Sequence, residues 1–286
     1  MGLREPDPMS SSTAPLAQGW QARLALRFQA SALRTQLTRR EHFGPLLVQR
    51  AFYPEGEPCH VYVIHPPGGV ASGDDLQLEV EVAPGAHALL TTPAAGKFYR
   101  RGAAGVARVS QSLRVEAGVL EWLPQENIFY PDAHVALRSI VRLSGAARFI
   151  GWEIGCLGLP ASRRGLDDGE LGLHFELWQH ERPLLLERLR LTRESLAARW
   201  GLGGHVALGT AMVFPAGPAQ LEIARASAGA NCAELMLACT LVDGVLVCRA
   251  TARRTDQLRQ ALVRWWQALR PAVLGRKAVI PRIWST

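Results

Sequence analysis

Strict alternation of apolar and polar residues is the feature that most constrains the fold of this chain. Between Asp75 and Val82, the apolar residues Leu76, Leu78 and Val80 alternate with glutamine and glutamates. Successive side chains of a β-strand point to opposite faces of a sheet, so this run predicts a half-buried strand. Similar runs recur along the chain, at 22–28, 46–52, 106–115, 134–143, 147–154, 172–178 and 184–191.

Turn residues separate these runs at short intervals, for example at Pro84-Gly85, Gly102, Gly118 and Gly145. Many short strands with this punctuation predict stacked or sandwiched sheets, and no alternation of strands with helices occurs before the last quarter of the chain. We therefore expect a mainly β fold in three parts: a flexible N-terminal tail at 1–18, a β-rich scaffold domain at 19–215, and a small α+β part at 216–286 whose hairpin and helix pack on the scaffold.

The predicted hairpin of the C-terminal part turns between Val242 and Val245, through Asp-Gly. This register places Cys239 directly opposite Cys248. Such a pair could be redox-active or could bind a soft metal. Because both thiols share a face with several leucines, we favour small core residues as the interpretation.

A helix is predicted after the hairpin. Thr255 can cap its start, and Pro271 is expected to end it. We interpret the tryptophans of this segment as packing residues. The apolar stripe of the helix consists of Leu258, Leu262, Trp265 and Leu269.

The composition is that of an ordinary globular protein, with 48% hydrophobic and 20% charged residues. A formal net charge of +7 raises the possibility of nucleic-acid binding. However, no basic stripe interleaved with aromatic residues and no helix-turn-helix pattern is present, so a surface for acidic protein partners is the favoured interpretation. The basic pairs are dispersed, at Arg100-Arg101, Arg163-Arg164 and Arg253-Arg254.

Several sequence features favour a cytoplasmic protein that does not enter the membrane. The five cysteines lack CxxC spacing, which favours reduced thiols. The first 18 residues lack the apolar core of a secretory signal, and no apolar run is long enough to span a bilayer.

The best transition-metal ligands occur in the predicted strand 59–65. His60 and His65 are separated by an odd number of residues and would point to opposite faces. Cys59 shares a face with His65 but would stand roughly 20 Å from it. We therefore expect no high-affinity metal cage here. His65, which precedes two prolines, is interpreted as a loop residue that fixes the turn or as a single transient ligand.

The loop PAAGKFYRR has a superficial similarity to a phosphate-binding loop. Phe98 occupies the position where serine or threonine would hold magnesium, and Thr91 replaces the first glycine. We expect no nucleotide hydrolysis from this motif. Lys97, Tyr99 and Arg100 could form a partner surface or a structural hydrogen-bond cluster, and the sequence leaves both open.

Three acids lie on apolar faces of predicted strands: Asp74, Glu153 and Glu187. Glu187, for example, is in step with Leu185 and Leu189. An isolated charge on such a face costs several kcal/mol, so each carboxylate requires a counter-charge, water or an ion. Periodicity alone favours structural acids held by salt bridges or hydrogen bonds.

Several motifs occur in a consistent order: GWQARLALRF, HPPGG…GD, TTPxxxKFYR, EWLPQE, WEIGCLGLPA, PLLLERLRL and PRIWST. Together they resemble the urease accessory protein D family over most of the 286 residues. Members of that family are non-catalytic scaffolds that help to load nickel into apo-urease. The resemblance implies helical stacked β-structure with a small helical C-terminal part.

The resemblance also implies a nickel path. Asp74, Glu153 and Glu187 match the family's GGD, WD/WE and LLxER motifs and would line an internal water-filled route for transient Ni2+, with no stoichiometric cofactor. The implied partners are apo-urease and a complex of the accessory proteins F and G. The chain departs from the family pattern at Ser72, in place of a glycine, and at Gly96, in place of a small polar residue.

Two other functions stay open at this point. The chain could be a purely structural adaptor in the activation complex, with its acids bridged to arginines. It could instead be a hydrolase that uses Asp74, His65 and Glu126 in a cleft built from loops, although nothing fixes these residues in acid–base geometry.

Overall fold

The computed structural model describes residues 19–229 and 231–285, so the predicted N-terminal tail at 1–18 lies outside the described residues. Most of the described chain is β-structure. The strands, in chain order, are β1 (Gln21–Ala30), β2 (Thr35–Phe43), β3 (Leu47–Val48), β4 (Cys59–Ile64), β5 (Asp75–Val82), β6 (His87–Thr91), β7 (Gly96–Phe98), β8 (Ala107–Glu116), β9 (Val119–Trp122), β10 (Asn127–Phe129), β11 (His134–Ser144), β12 (Arg148–Leu157), β13 (Glu170–Gln179), β14 (Arg182–Leu191), β15 (Ala207–Phe214), β16 (Leu235–Val242) and β17 (Val245–Ala252).

Two facing sheets are built from these strands. The first has seven strands in the order β14-β13-β11-β8-β5-β1-β2. The second has ten strands, with the path β16-β17-β15-β12-β9-β6-β4-β3 and with β7 and β10 attached beside β12. From β5 to β13 the chain visits the two sheets in turn and adds parallel neighbours to each. The fold is therefore mainly β and made of stacked coils, which confirms the predicted fold class.

The main hydrophobic core fills the space between the sheets. Its apolar side chains come from the inward-facing positions that the alternating pattern predicted, such as Leu76, Leu78, Val80 and Val82 on β5. A second apolar cluster lies on the outer face of the second sheet, beneath the C-terminal helix.

Three helices are present in the described chain: α1 (Arg193–Ala197), α2 (Pro218–Ala228) and α3 (Thr255–Leu274). None of them is long and apolar enough to cross a membrane. The hairpin β16–β17 extends the second sheet through β15, and α2 and α3 pack against it. The C-terminal part is thus joined to the scaffold by backbone pairing as well as by packing.

The prediction that Pro271 ends the C-terminal helix is wrong. Helix α3 continues for one more turn to Leu274, and Gly275 then adopts a left-handed conformation whose N–H donates to the Pro271 carbonyl. Proline lacks an N–H but keeps its carbonyl, so the last turn can still close around it. Trp265 and Trp266 are fully buried, as expected for packing residues.

Most predicted strands occur within a few residues of their expected bounds, but the run 46–52 does not. Leu47 and Val48 pair with β4, and Phe52 forms an isolated bridge to His60, but the exposed residues Gln49 and Arg50 interrupt the strand between them. Six strands were not predicted. The edge strand β2 is polar on both faces, whereas β6, β9 and β15 are buried on almost every side and do not alternate. The other two, β7 and β10, have only three residues each.

A buried charge network fixes α3 to the coils. Arg270 donates to Glu121 at 2.9 Å and to Glu55 at 2.6 Å, and both Arg270 and Glu121 have no exposed surface. Glu121 also forms hydrogen bonds with His87 Nε2 at 2.8 Å and with Trp266 Nε1 at 2.7 Å. Burial alone would raise the pKa of Glu121, but the hydrogen bonds from His87 and Arg270 outweigh it and hold the pKa at about 2.

Candidate functional site

A single layer of polar side chains crosses the otherwise apolar space between the sheets. On the first sheet, Gln111, Ser139 and Glu187 lie in one cross-strand row, with Phe175 between the last two. The facing row on the second sheet runs over β12, β15 and β17. We call this set the polar layer; its members are Gln111, Ser139, Glu153, Glu187, Thr210 and Arg249.

Ser139 links the two sheets at the centre of the polar layer. Its hydroxyl oxygen lies 2.5 Å from Glu153 Oε1 and 3.2 Å from Gln111 Oε1. A hydroxyl has one proton to donate. When the Glu153 carboxylate is ionised, the Ser139 hydroxyl donates to Glu153 Oε1. When the carboxyl is protonated it can donate to Ser139, whose hydroxyl is then free to donate to Gln111 Oε1.

The electrostatics of Glu153 favour that protonated form. Burial raises the pKa of Glu153 to about 7, the hydrogen bond from Ser139 opposes the shift, and the negative charge of Glu187 adds to it. A carboxyl with this pKa is partly neutral and partly ionised at neutral pH.

Two cavities meet at Glu153. A large cavity of about 390 Å³ is lined by Glu153, Asn127, Lys97 and His65 among others. A small cavity of about 30 Å³, enough for one water molecule, is lined by Glu153 and Asn127 on one side and by Glu187 and Thr210 further along. Because Glu153 and Asn127 belong to both walls, the two cavities adjoin at these two residues.

Gly96 leaves room for Asn127 in the shared wall. A Cβ atom at Gly96 would lie 2.5 Å from Asn127 Oδ1, well inside contact distance. Glycine at this position, where the family pattern has a small polar residue, therefore lets the amide of Asn127 approach β7.

The small cavity ends at an ion pair between the two sheets. Arg249 Nε donates to Glu187 Oε1 at 2.9 Å; the Glu187 side chain is 14% exposed and that of Arg249 is 51% exposed. A second ion pair, Arg182–Asp243 at 3.0 Å, joins the same two hairpins nearer their turns. The Glu187 end of the small cavity is therefore close to solvent. The side chain of Arg249, rather than backbone, covers it.

Asp74 does not belong to the polar layer. It is 5% exposed and accepts hydrogen bonds from the backbone N–H groups of Trp20 and Ala71, both at 2.7 Å. Both carboxylate oxygens are thus occupied in holding the turn before β5. The geometry here agrees with the structural role that periodicity favoured.

His65 and Lys97 line the large cavity together. His65 accepts a backbone hydrogen bond from Gly68 in the turn that follows β4, as expected for a turn residue. Its Nε2 atom is buried and has no hydrogen-bond partner among the described residues. Burial lowers the pKa of His65, and the charge of Asp74 partly opposes this shift. A neutral imidazole with a free nitrogen therefore faces the interior near the large cavity.

Tyr99 and Arg100 are separated from Lys97 and lie at the surface. They border a shallow depression with Tyr130, on which the Tyr99 ring packs edge-on at 5.2 Å between centroids. The Tyr99 hydroxyl donates to the Gly68 carbonyl at 3.4 Å. Lys97, Tyr99 and Arg100 therefore do not form one hydrogen-bond cluster.

Glu126 lies apart from His65 and Asp74. Its carboxylate is 3.7 Å from Arg259 of α3, and Glu126 does not line the large cavity that His65 faces. The three residues of the hydrolase alternative therefore do not share one cleft.

Within residues 19–229 and 231–285, no group of three or more histidine, cysteine, aspartate or glutamate side chains is arranged to hold a metal ion. The carboxylates of the polar layer stand instead beside hydroxyl and amide groups.

Sequence reasoning missed four members of the polar layer: Gln111, Ser139, Thr210 and Arg249. Gln111 and Ser139 carry the same signal as Glu187, since each is a polar residue in step with apolar neighbours on its strand. Thr210 lies on β15, whose polar and apolar residues do not alternate. Arg249 comes beside Thr210 only because β17 pairs with β15.

Comparisons of the sequence with known proteins identify the family of the chain. The sequence model of the family described as "UreD urease accessory protein" matches residues 21–285. A urease accessory protein UreD from Pseudomonas putida (strain W619) is 45% identical over 94% of this chain and 95% of its own length. Proteins of the same name from Alcanivorax borkumensis and Klebsiella aerogenes are 40% and 39% identical, over 93% and 99% of their lengths. The chain therefore belongs to the UreD urease accessory protein family.

Proposed function

We propose that this protein is a non-catalytic scaffold of urease maturation that conducts nickel through its interior, from the accessory GTPase G and its partner F toward apo-urease. The observation that carries the proposal is the pair of cavities that share Glu153 and Asn127 and end at Glu187. Membership of the UreD family supports a role in urease maturation. The nickel route and the individual partners are the proposal itself.

The chemistry of the route suits transport better than storage. A conduit has to bind an ion strongly enough to admit it and weakly enough to release it. Glu153 offers one carboxylate that is partly protonated at neutral pH, and Glu187 offers a second that already has a counter-ion. Nickel would meet replaceable oxygen ligands and water in succession rather than a thiolate cage that would retain it.

The proposal gives Asp74 a supporting part. Its carboxylate fixes the turn between Trp20 and β5, beside His65. In this interpretation Asp74 shapes one end of the large cavity, and the ion passes it without displacing its two amide hydrogen bonds. The two carboxylates of the polar layer, Glu153 and Glu187, are the residues that contact nickel.

Urease activation in cells tests the proposal. Cells that express apo-urease with all accessory proteins would carry Glu153→Gln together with Glu187→Gln, which removes both charges and keeps both shapes. We expect the complex with urease to assemble normally and urease activity to fall at least about tenfold, the scale on which changes around metal sites act. A matched control, Glu79→Gln with Glu81→Gln, removes two charges from β5 that pair with arginines at the surface and should activate normally.

A structural adaptor is the second candidate, because Asp74 and Glu187 both have protein partners that satisfy them. In that case the double glutamine variant would either assemble and activate normally or fail to assemble at all. Normal assembly with lost activation separates the conduit from the adaptor.

A further inference from the structure

The hairpin β16–β17 carries two free cysteines on facing strands, Cys239 and Cys248. Its turn residues Asp243 and Gly244 both have positive φ, 49° and 77°, as in a type I′ turn. In such a two-residue hairpin, the pair next to the turn exchanges backbone hydrogen bonds and the following pairs alternate. Cys239 and Cys248 therefore form a non-hydrogen-bonded pair. The Cα atoms of such a pair stand about 4.5 Å apart, within the range of about 4.4–6.8 Å that disulfides span.

The surroundings of the two thiols make them chemically unequal. The hydrogen bond from the Cys248 thiol is the largest cause that lowers the pKa of Cys239; burial opposes it, and Trp265 and Arg225 reinforce it. The same hydrogen bond, together with burial, raises the pKa of Cys248. The Trp265 indole N–H is buried without a conventional acceptor among the described residues, so it is available to a thiolate at Cys239.

Access to the pair is narrow. Cys239 is 8% exposed and Cys248 is fully buried, and both lie in the apolar cluster beneath α3. Strand β16 is the edge of its sheet, so Cys239 is the thiol nearer to solvent. A peroxide is small enough for this approach, whereas a bulky disulfide reagent is not.

We propose that Cys239 and Cys248 are a reversible oxidation site, in which a small peroxide oxidises Cys239 and Cys248 converts the product to a disulfide. The Cys239 thiolate attacks one oxygen of hydrogen peroxide, the O–O bond breaks, and the hydroxide that leaves takes up a proton to become water. The Cys248 sulfur then attacks the sulfenic acid at Cys239, and the S–S bond forms as a second water leaves with the Cys248 proton. Two thiols and one peroxide thus give one disulfide and two waters.

The disulfide would join the edge strand β16 to β17 immediately beside Arg249, the residue that pairs with Glu187. The site does not depend on the nickel route, because its chemistry rests on the hairpin alone.

Peptide mapping of the full-length protein tests the proposal. A Cys232→Ser chain, which lacks the exposed cysteine, would be treated with hydrogen peroxide, alkylated and digested. Mass spectrometry should find a disulfide between Cys239 and Cys248 that dithiothreitol reverses, with Cys59 and Cys156 still reduced. The proposal is overturned if peroxide produces no disulfide between Cys239 and Cys248 and oxidises these two thiols no faster than the other buried thiols, Cys59 and Cys156.

A second measurement identifies the attacking thiol. With Cys248→Ser the sulfenic acid at Cys239 has no thiol to react with, so dimedone should label Cys239 after peroxide treatment. With Cys239→Ser we expect no label at Cys248. Equal labelling in the two variants would contradict the assigned order, and the disulfide map of the chain with both cysteines decides the proposal if either variant fails to fold.

Discussion

Glu153 differs from the other buried acids of this protein in how its charge is compensated. Glu121 has Arg270 and His87, whereas Glu153 has only the Ser139 hydroxyl as a hydrogen-bond partner among the described residues. Fold stability alone would favour an apolar residue or a paired acid at this point. A buried acid that has no counter-charge, and whose pKa is raised for that reason, is instead typical of a functional site.

We expect Glu153→Gln to stabilise the folded protein at pH 8 and to leave its stability at pH 4 nearly unchanged. Burial raises the pKa of Glu153 to about 7. Because the pKa of Glu153 is raised in the folded state, the contribution of this group to the free energy of unfolding is fully present below the ordinary pKa of a carboxyl. It is lost as the pH rises through 7. The free energy of unfolding falls by about 3 kcal/mol at most. The glutamine variant does not lose this stability, because glutamine cannot ionise.

Thermal unfolding of both proteins at the two pH values checks this prediction. The exposed acid Glu79, which pairs with Arg23, provides the control: Glu79→Gln should give no gain at pH 8. An equal effect of Glu153→Gln at pH 4 and pH 8 would contradict the proposed burial of an ionisable carboxyl.

On the proposed nickel route, Arg249 would compete with the cation for Glu187, so Arg249→Gln is expected to tighten nickel binding to the purified protein. Partly exposed ion pairs contribute up to about 1 kcal/mol, which corresponds to a gain of about two- to fivefold in affinity. Equilibrium dialysis with Ni2+ measures the change. Adding Glu187→Gln should abolish the gain, and Arg182→Gln, which breaks the other ion pair between the hairpins, should leave binding unchanged.

The acids on apolar strand faces could be found from the sequence, but their partners could not. Glu187 breaks the apolar parity of its strand, and that signal needs only local sequence. Its counter-ion Arg249 lies 62 residues away and meets it only because β17 joins the second sheet. Asp74 carried the same parity signal, yet the backbone N–H of Trp20, 54 residues upstream, occupies its carboxylate.

At the scale of elements, α3 depends on one arginine. Arg270 is fully buried and donates to both Glu121 and Glu55, which come from different coils. We expect Arg270→Met to destabilise the protein by about 3–5 kcal/mol, because it leaves two buried carboxylates without a counter-charge. Chemical denaturation measures this loss.

Arg276→Met is the matched control, since Arg276 pairs with Glu57 at the surface and is 36% exposed. Its loss should cost less than about 1 kcal/mol. Similar losses for the two variants would show that the buried network does not hold α3 in place.

Element prediction succeeded where one face of a strand is solvated and failed where both faces are covered. Strand β5 was predicted with its observed bounds, Asp75–Val82, because polar residues alternate with its core positions. Strand β6, with the sequence HALLT, is buried throughout and gives no alternation. Glu121 on β9 was missed for the same reason, since both faces of β9 are covered. The outer face of this strand would be polar in an open sheet, but α3 packs over it.

At the scale of the whole molecule, the stacked coils explain how the chain can hold a polar layer between its sheets without losing its core. Each coil adds one parallel strand to each sheet, so a row of polar side chains in register crosses both sheets at one level. Apolar residues above and below that level form the continuous core. The family resemblance predicted this architecture, whereas the position of the polar layer required the strand register.

If nickel passes through the interior as proposed, its transfer should resist chelators, and this resistance is the most direct test of the account. Purified apo-urease would be activated by the complete accessory complex loaded with nickel, in the presence of excess EDTA. We predict that the wild-type protein supports activation under these conditions and that the Glu153→Gln, Glu187→Gln variant does not, although both form the same complex. Equal activation by the two proteins in EDTA would contradict the nickel route.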